Sequence, residues 1–225
     1  MQVPQRIVVF APHPDDETLA CGGTIIKKHR QGDEVSVVVM TDGRHSHSHS
    51  FGIWQNPSPE EVALIRREEA KRVTGMLGVS ADRLFLLEFE DTTLQQHVAA
   101  ATDRVVQLLR AIGPHEVCYP GVSDSHKDHH ATHLAVEQAL LKLDVLPARF
   151  RYVIWREESS PQIDPGFTDI QTFAISDVLA EKKAALNQYK SQVTLLYKTQ
   201  TIPVLRPEFL ERFVGPHEVF WRSRG

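Results

Sequence analysis

Residues 7–24 read IVVFAPHPDDETLACGGT, and the architecture that we expect for the whole chain follows from this stretch. Its first four residues are apolar, and their β-branched and aromatic side chains are typical of a buried strand. Two prolines then keep the backbone around His13 out of helix and strand. One imidazole and three carboxyl groups follow within residues 13–17, and a helix-compatible segment comes next. Open α/β folds place their chemistry at such a point, where a strand ends and a helix begins.

Composition narrows the class of protein. The chain has 225 residues, 41% hydrophobic and 24% charged, which suits a globular protein with one large domain over residues 1–225. The formal net charge is −4, so the composition favours neither nucleic acid nor an anionic membrane as a partner. Cys21 and Cys118 form no CxxC pair, which argues against thiolate zinc binding and a disulfide framework. Because we find no signal-peptide pattern and no run of about 18 apolar residues, we expect a soluble cytoplasmic protein.

Strand-like and helix-like segments alternate along the chain, which is the pattern of βαβ units in a parallel sheet. We expect strands near residues 6–10, 34–40, 83–87, 116–119, 150–155 and 170–175. We expect helices near residues 19–29, 59–77, 94–112, 128–143 and 177–188. The tail around 218–221 has strand-like composition but no assigned place. The pattern predicts an α/β fold, a Rossmann-like open sheet that is mostly parallel and has helices on both faces.

A second polar cluster, residues 126–129 (HKDH), follows the fourth predicted strand as the first cluster follows the first strand. Strands one and four of a doubly wound sheet are neighbours across the topological switch point. The two clusters should therefore meet in one crevice, although more than a hundred residues separate them. His, Asp and Glu are the ligands that Zn²⁺ accepts besides Cys. The sequence therefore predicts a metal site at this edge of the sheet.

Together, HPDDE at residues 13–17 and HxDH at residues 126–129 resemble the motifs of the PIG-L/LmbE-like family of zinc-dependent N-deacetylases. The resemblance covers roughly residues 5–140 and includes the turn at 41–43 and the glycine pair at 22–23. That pair is costly inside a helix and indicates a close approach to other backbone or to a ligand. The resemblance implies a Rossmann-like fold and the removal of acetyl or similar groups from amino sugars and related amides. It implies Zn²⁺, or another divalent cation, as cofactor, a small N-acylated amino sugar or conjugate as substrate, and a homo-oligomer by family precedent.

The resemblance also implies the metal ligands and the base. His13, Asp16 and His129 would hold the metal and leave a position open for water, as catalytic zinc sites require. Asp15 would be the general base. Adjacent residues of an extended chain point to opposite sides, so one of the two aspartates can face the metal while the other stays off it. We expect Glu17 to cap the amino end of the following helix.

Further roles carried over from the family concern the acyl carbonyl and the substrate. His126 would help to stabilise the oxyanion or protonate the leaving amine, and Asp128 would orient or charge His126. Arg66 matches a family arginine near the substrate pocket, and Arg44 is a second candidate for substrate binding. Lys127 stands where the family often has proline, and no tyrosine stands just before His126, which leaves the general acid open.

Two alternatives remain open at this point. His130 or His133 could take the place of His129, since His129 and His133 have the i, i+4 spacing of some zinc pairs. The alternating tract of residues 45–50, with His45, His47 and His49, lies in a long loop. A plain loop is the favoured interpretation of the tract, and part of a substrate lid or the metal site of a metal-binding or metal-delivery protein are the alternatives. A nucleotide-binding site is disfavoured, because the first turn carries carboxylates where a Gly-x-Gly-x-x-Gly backbone would meet phosphate.

Overall fold

The computed structural model describes residues 3–47, 57–156, 169–197 and 200–222. Seven strands are present in this part of the chain: β1 Arg6–Ala11, β2 Glu34–Thr41, β3 Leu84–Phe89, β4 Glu116–Pro120, β5 Ala148–Tyr152, β6 Asp169–Ala174 and β7 His217–Arg222. The helices are α1 Asp16–Arg30, α2 Pro59–Met76, α3 Val98–Ile112, α4 Lys127–Leu140, α5 Leu179–Leu186, α6 Lys190–Val193 and α7 Pro207–Leu210. In the described residues no helix is long and apolar enough to cross a membrane.

All seven strands form one sheet in the order β3-β2-β1-β4-β5-β7-β6. β1 to β5 pair in parallel, and β7 pairs antiparallel with both β5 and β6. α1, α2 and α5 pack on one face of the sheet, and α3 and α4 pack on the other. The mostly parallel open sheet with helices on both faces confirms the predicted fold class.

The topological switch point lies between β1 and β4, which pair in parallel with Val8 opposite Val117. The carboxyl ends of both strands therefore open at the same edge of the sheet, and the two polar clusters follow them directly. β1 and β2 are buried along almost their whole length, since apolar side chains on both faces of the sheet are covered by helices. This arrangement fixes the backbone from which the site is built.

Three features of the sequence pattern resolve differently from the expectation. α1 begins at Asp16, so the first polar cluster includes the first turn of the helix. The helix expected over 94–112 is divided into a 3-10 turn, Leu94–Gln96, and α3. The unassigned tail forms β7, which pairs antiparallel with both β5 and β6 and so lies between them in the sheet.

Side chains pack closely against the glycine pair at 22–23. The sequence predicted a close approach of other backbone or of a ligand there. A Cβ atom at Gly23 would lie 2.6 Å from Cγ2 of the fully buried Ile175. A Cβ atom at Gly22 would lie 3.2 Å from Cγ of Lys182. Glu218 on β7 also accepts the backbone N–H groups of Gly23 and Thr24, each at 2.8 Å. The carboxyl-terminal third thus packs directly on the helix that carries the first motif.

Candidate active site

Asp15 and Asp16 send their carboxylates in different directions because the backbone turns sharply between them. Asp15 is the N-cap of α1 and has φ 130°, a conformation that residues with a side chain rarely adopt. Its Oδ2 accepts a hydrogen bond from Nη2 of Arg66 at 3.0 Å. Asp16, in the first turn of α1, faces the opposite cluster instead. The structure therefore separates the two carboxylates through a strained turn at Asp15, where the sequence argument assumed extended chain.

His13, Asp16 and His129 converge on one point. Asp16 Oδ2 lies 3.2 Å from His13 Nδ1 and 3.1 Å from His129 Nε2. The same oxygen accepts the backbone N–H of His13 at 2.9 Å, which fixes the carboxylate. His13, His126 and His129 also offer ring nitrogens that lie within 4.8 Å of one another. The two motifs thus form one cluster across the switch point.

The donor atoms of this cluster fit a divalent metal ion. His129 is fully buried, and its Nδ1 lies 3.0 Å from Asp124 Oδ2. Among the described residues its Nε2 has no well-aligned hydrogen bond, although Asp16 Oδ2 lies 3.1 Å away. His13 Nε2 lies 3.2 Å from Asp91 Oδ1 and 3.3 Å from an oxygen of Asp128. These carboxylates place the ring proton on His129 Nδ1 and on His13 Nε2. The other nitrogen of each ring, which faces Asp16, then keeps a lone pair, as in metal-ligating histidines.

The charges around the cluster draw positive charge into it. Burial alone would lower the pKa of His129, but Asp16 and Asp124 outweigh it and raise that pKa to about 9. Burial also disfavours the charged form of Asp16 and so would raise its pKa, but His129 and His13 hold that pKa well below its ordinary value. Burial, opposed by Arg66, raises the pKa of Asp15 to about 8. A divalent cation bound at the cluster would add positive charge among these carboxylates.

His126 and Asp128 are both in the cluster, but their contacts differ from those expected. The sequence predicts His126 as the partner of the Asp128 carboxylate. In the structure, the Asp128 carboxylate lies beside His13 Nε2 and accepts the backbone N–H groups of Thr92 at 2.7 Å and Leu94 at 3.2 Å. His126 is the N-cap of α4, and its Nδ1 accepts the backbone N–H of Asp128 at 3.2 Å. The Asp128 side chain points towards the 3-10 turn because it lies in the first turn of α4.

The two predicted substrate-binding arginines are placed differently from each other. Arg66 is 3% exposed, and it donates to the carbonyl groups of Pro14 at 2.5 Å and Gly43 at 3.0 Å besides Asp15. Arg66 therefore holds the aspartate in place as well as bordering the cavity. Arg44 donates to Asp42 Oδ2 at 2.7 Å and lines a separate cavity of about 370 Å³. The structure does not bring Arg44 to the cluster of His13, Asp16 and His129.

A cavity of about 290 Å³ opens onto the cluster. One part of its wall comes from the two motifs and from the residues that follow β2 and β3. The other part comes from the carboxyl-terminal half of the chain. Its lining residues are His13, Asp15, Asp16, Leu19, His45, Ser46, Arg66, Asp91, Thr92, His126, Trp155, Gln192, Val204 and Leu205. The cavity combines carboxylate and amide groups with an apolar wall, which suits a small polar ligand that carries an apolar group.

The histidines that could have replaced His129, and the His-Ser tract, lie elsewhere. His133 Nδ1 contacts the carbonyl group of Pro120 at 3.0 Å, and the His130 side chain is exposed. Of the tract, His45 borders the cavity and pairs with Glu90, and the ring of His47 contacts Tyr197. His49 lies outside the described residues. In the part of the chain that the structure describes, the tract forms no metal-binding group.

Sequence reasoning missed Asp91 and the role of Asp124. Asp91 is 4% exposed and comes two residues after β3, so it lies at the same edge of the sheet as the two motifs. A search for acidic residues after every parallel strand would have found it. Asp124 Oδ2 also accepts the backbone N–H groups of Ile154 at 2.8 Å and Trp155 at 3.2 Å, which ties the loop after β4 to the loop after β5.

Comparison with known proteins places these features in a family context. The family described as PIG-L: GlcNAc-PI de-N-acetylase matches residues 8–140, which include both motifs. A Bacillus anthracis protein named as a probable N-acetyl-alpha-D-glucosaminyl L-malate deacetylase 2 is 27% identical over 235 residues, which cover 98% of this chain and 96% of the relative. That match includes the carboxyl-terminal third of this chain.

Two solved structures share the fold over nearly the whole chain. The N,N'-diacetylchitobiose deacetylase of Pyrococcus horikoshii has a TM-score of 0.70 at 23% identity and covers 97% of this chain and 84% of its own. The 4-carboxy-2-hydroxymuconate hydratase GalB of Pseudomonas putida has a TM-score of 0.70 at 16% identity and covers 97% of this chain and 95% of its own. Since these two proteins carry different activities, the fold alone does not fix the reaction.

Proposed function

The chain belongs to the PIG-L family, and we propose that it is a metal-dependent N-deacetylase acting on an N-acetylated amino sugar or a related amide. The observation that carries the proposal is the convergence of His13, Asp16 and His129 beside a cavity that also contains Asp15. The named activities of a relative and a structural neighbour, on an N-acetylglucosaminyl malate and on diacetylchitobiose, support an amino-sugar substrate.

The metal would be held by His13 Nδ1, Asp16 Oδ2 and His129 Nε2. Three protein ligands from His and Asp, with one position left open, are typical of catalytic zinc sites. Bound there, Zn²⁺ supplies a Lewis acid that polarises the amide carbonyl group and lowers the pKa of water. Asp124, on the far nitrogen of His129, and Asp91 with Asp128, on that of His13, would keep both rings in the tautomer that binds metal.

Asp15 would act as the general base. It lies on the cavity wall beside Asp16, and Arg66 holds its carboxylate there. In hydrolysis, a water oxygen forms a bond to the acyl carbon, Asp15 takes the water proton, and the C–N bond then breaks to give a carboxylate and an amine. Proton transfer of this kind contributes about 10²–10⁴-fold to rate.

His126 would assist at the carbonyl oxygen and the leaving nitrogen. Its Nδ1 accepts a backbone N–H, so the proton of the neutral ring is on Nε2, which can donate to the developing oxyanion. The ring lies against His13, with a centroid distance of 4.8 Å, and borders the cavity. The amine would take its proton from Asp15 or through this ring.

The test is amine release from N-acetylglucosamine, diacetylchitobiose and N-acetylglucosaminyl malate by zinc-reconstituted protein. Asp15→Asn, compared at equal zinc content, should lose about 10²–10⁴-fold in kcat. Asp103→Asn is the matched control, because Asp103 is an exposed residue of α3 that pairs only with Lys142 among the described ion pairs. Equal turnover by wild type and Asp15→Asn would overturn the proposed base.

A second set of variants separates the hydrolase from a metal-delivery protein. Alanine at His45, His47 and His49 should leave zinc stoichiometry unchanged if the metal lies at the two motifs. Loss of zinc from this variant, with zinc retained in His129→Ala, would favour the tract as the metal site and contradict the proposal.

A further inference from the structure

Glu17 is a buried carboxylate that the proposed chemistry does not use. It is 0% exposed and lies in the first turn of α1, next to the two aspartates of the motif. Its Oε2 accepts the backbone N–H of Asp15 at 3.2 Å. Its Oε1 accepts the hydroxyl groups of Thr18 at 2.6 Å and Tyr189 at 2.5 Å. Its hydrogen bonds therefore join the backbone turn, the neighbouring Thr18 and a tyrosine from a distant part of the chain.

Asp15 needs this support because its backbone is strained. A φ of 130° is unfavourable for any residue with a Cβ atom, and such a conformation persists only where its surroundings hold it. The turn directs Asp15 to the cavity while Asp16 faces the histidines. Arg66 holds the Asp15 side chain from one side, and Glu17 binds its backbone N–H from the other. Releasing the N–H would allow the turn to relax and move the Asp15 carboxylate.

Tyr189, together with Thr18, fixes the direction of the Glu17 carboxylate. It is 0% exposed, lies between α5 and α6, and comes from outside residues 8–140, which the family matches. Its hydroxyl group donates a hydrogen bond to Oε1 of Glu17, and Oε2 is the oxygen that faces the Asp15 backbone N–H. Ser191, two residues further on, binds Glu69 of α2 through its backbone N–H at 2.8 Å and its hydroxyl group at 2.6 Å, which anchors this segment.

We propose that Tyr189 and Glu17 are positioning residues that hold the strained turn at Asp15, so that the carboxyl-terminal third completes the geometry of the general base. This inference rests on the proposed function only for its effect on turnover. The hydrogen bonds from Tyr189 through Glu17 to the Asp15 N–H can be tested without any substrate.

Two readouts test the inference in the full-length protein. The first is hydrogen–deuterium exchange of the Asp15 amide, measured in zinc-free and zinc-loaded protein. The second is kcat and KM for the N-acetylated substrate at equal zinc content. Tyr189→Phe should accelerate the Asp15 amide exchange at least tenfold and lower kcat about tenfold, with KM and zinc stoichiometry unchanged.

Tyr119→Phe is the matched control. Tyr119 is also 0% exposed, and its hydroxyl group donates to a carboxylate oxygen of Glu137 at 2.6 Å, on the other face of the sheet. It should lose stability to a similar degree while Asp15 exchange and kcat stay at wild-type values. Equal effects of the two tyrosine variants would show that the loss is one of general stability and would overturn the inference.

Glu17 variants keep the test decisive if Tyr189→Phe does not fold. Glu17→Gln keeps the length of the side chain. Its amide oxygen can accept the Asp15 N–H while its NH₂ group donates to the hydroxyl groups of Tyr189 and Thr18, so exchange should stay within about threefold of wild type. Glu17→Asp keeps the charge but is too short to hold both Tyr189 and the Asp15 N–H, so exchange should accelerate. The opposite order would contradict a positioning role. If the wild type shows no turnover, the proposed function fails, while the exchange rates still decide this inference.

Discussion

Replacing Gly23 by alanine should destabilise the protein, because the new methyl group has no space. Its position is 2.6 Å from Cγ2, 2.7 Å from Cβ and 2.8 Å from Cδ1 of Ile175. Ordinary carbon–carbon contacts need about 3.5–4.0 Å, so helix and side chain must separate by about 1 Å. Ile175 is fully buried, so moving its side chain would displace other core atoms. Overpacking of this kind costs about 1–3 kcal/mol.

The same displacement also strains the hydrogen bonds from Gly23 and Thr24 to Glu218, each worth about 1 kcal/mol net. We therefore expect Gly23→Ala to lose about 2–4 kcal/mol in the free energy of unfolding. Gly75→Ala, in α2, is the control: nothing lies within 4 Å of its added Cβ atom, and alanine should stabilise this helix by about 0.5–1 kcal/mol.

Urea unfolding of the two variants and the wild type, followed by circular dichroism, gives both values if the slopes agree. If Gly23→Ala is as stable as wild type, or gains stability as Gly75→Ala does, the account of the glycine pair is wrong.

A second consequence is testable in the same samples. Gly23→Ala should bind zinc more weakly, because the displaced helix carries Asp16 in its first turn.

Three further predictions concern the metal and the buried charges. Removing metal with a chelator should lower Tm, and zinc at 100 times its Kd should restore about 2.7 kcal/mol; an unchanged Tm would argue against a folded-state metal site. Asp124→Asn should weaken zinc binding about 10–100-fold in a competition titration, and unaltered affinity would show that Asp124 does not orient its histidine. Lys182→Met leaves Glu218 buried without its charged partner and should lower the free energy of unfolding, measured in urea, by about 3–5 kcal/mol. Lys27→Met, at an exposed pair with Asp177, should lower it by less than about 1 kcal/mol. Similar losses in the two variants would contradict this interpretation of the buried pair.

The fold was predictable as far as hydrophobic pattern and parallel topology determine it. The apolar run at residues 7–10 and the valine-rich run at 35–39 are each buried on both faces, as is typical of a parallel sheet covered by helices. The neighbouring position of β1 and β4 followed from the doubly wound architecture. The place of β7 did not, because a strand-like composition at 218–221 does not say which strands it joins.

The candidate site was predictable where a motif follows a strand. His13, Asp16 and His129 come together because residues next to the switch point meet regardless of their distance in sequence. The contacts of Asp128 were not predictable, because they depend on the direction of its side chain in the first turn of α4. Tyr189 was also hidden, since no local pattern tells a buried core tyrosine from one whose hydroxyl group holds the motif.

The most direct test of the metal centre is a crystal structure of the zinc-reconstituted protein with anomalous scattering measured at the zinc edge. The account predicts one peak in contact with His13 Nδ1, Asp16 and His129 Nε2, at about 2.0–2.2 Å. Among the described residues, His13, His126 and His129 form one group that could hold a metal, and His13 with Asp91 and Asp128 forms a second. A peak on that group, on the other side of the His13 ring, or on the His-Ser tract would contradict the proposed metal centre.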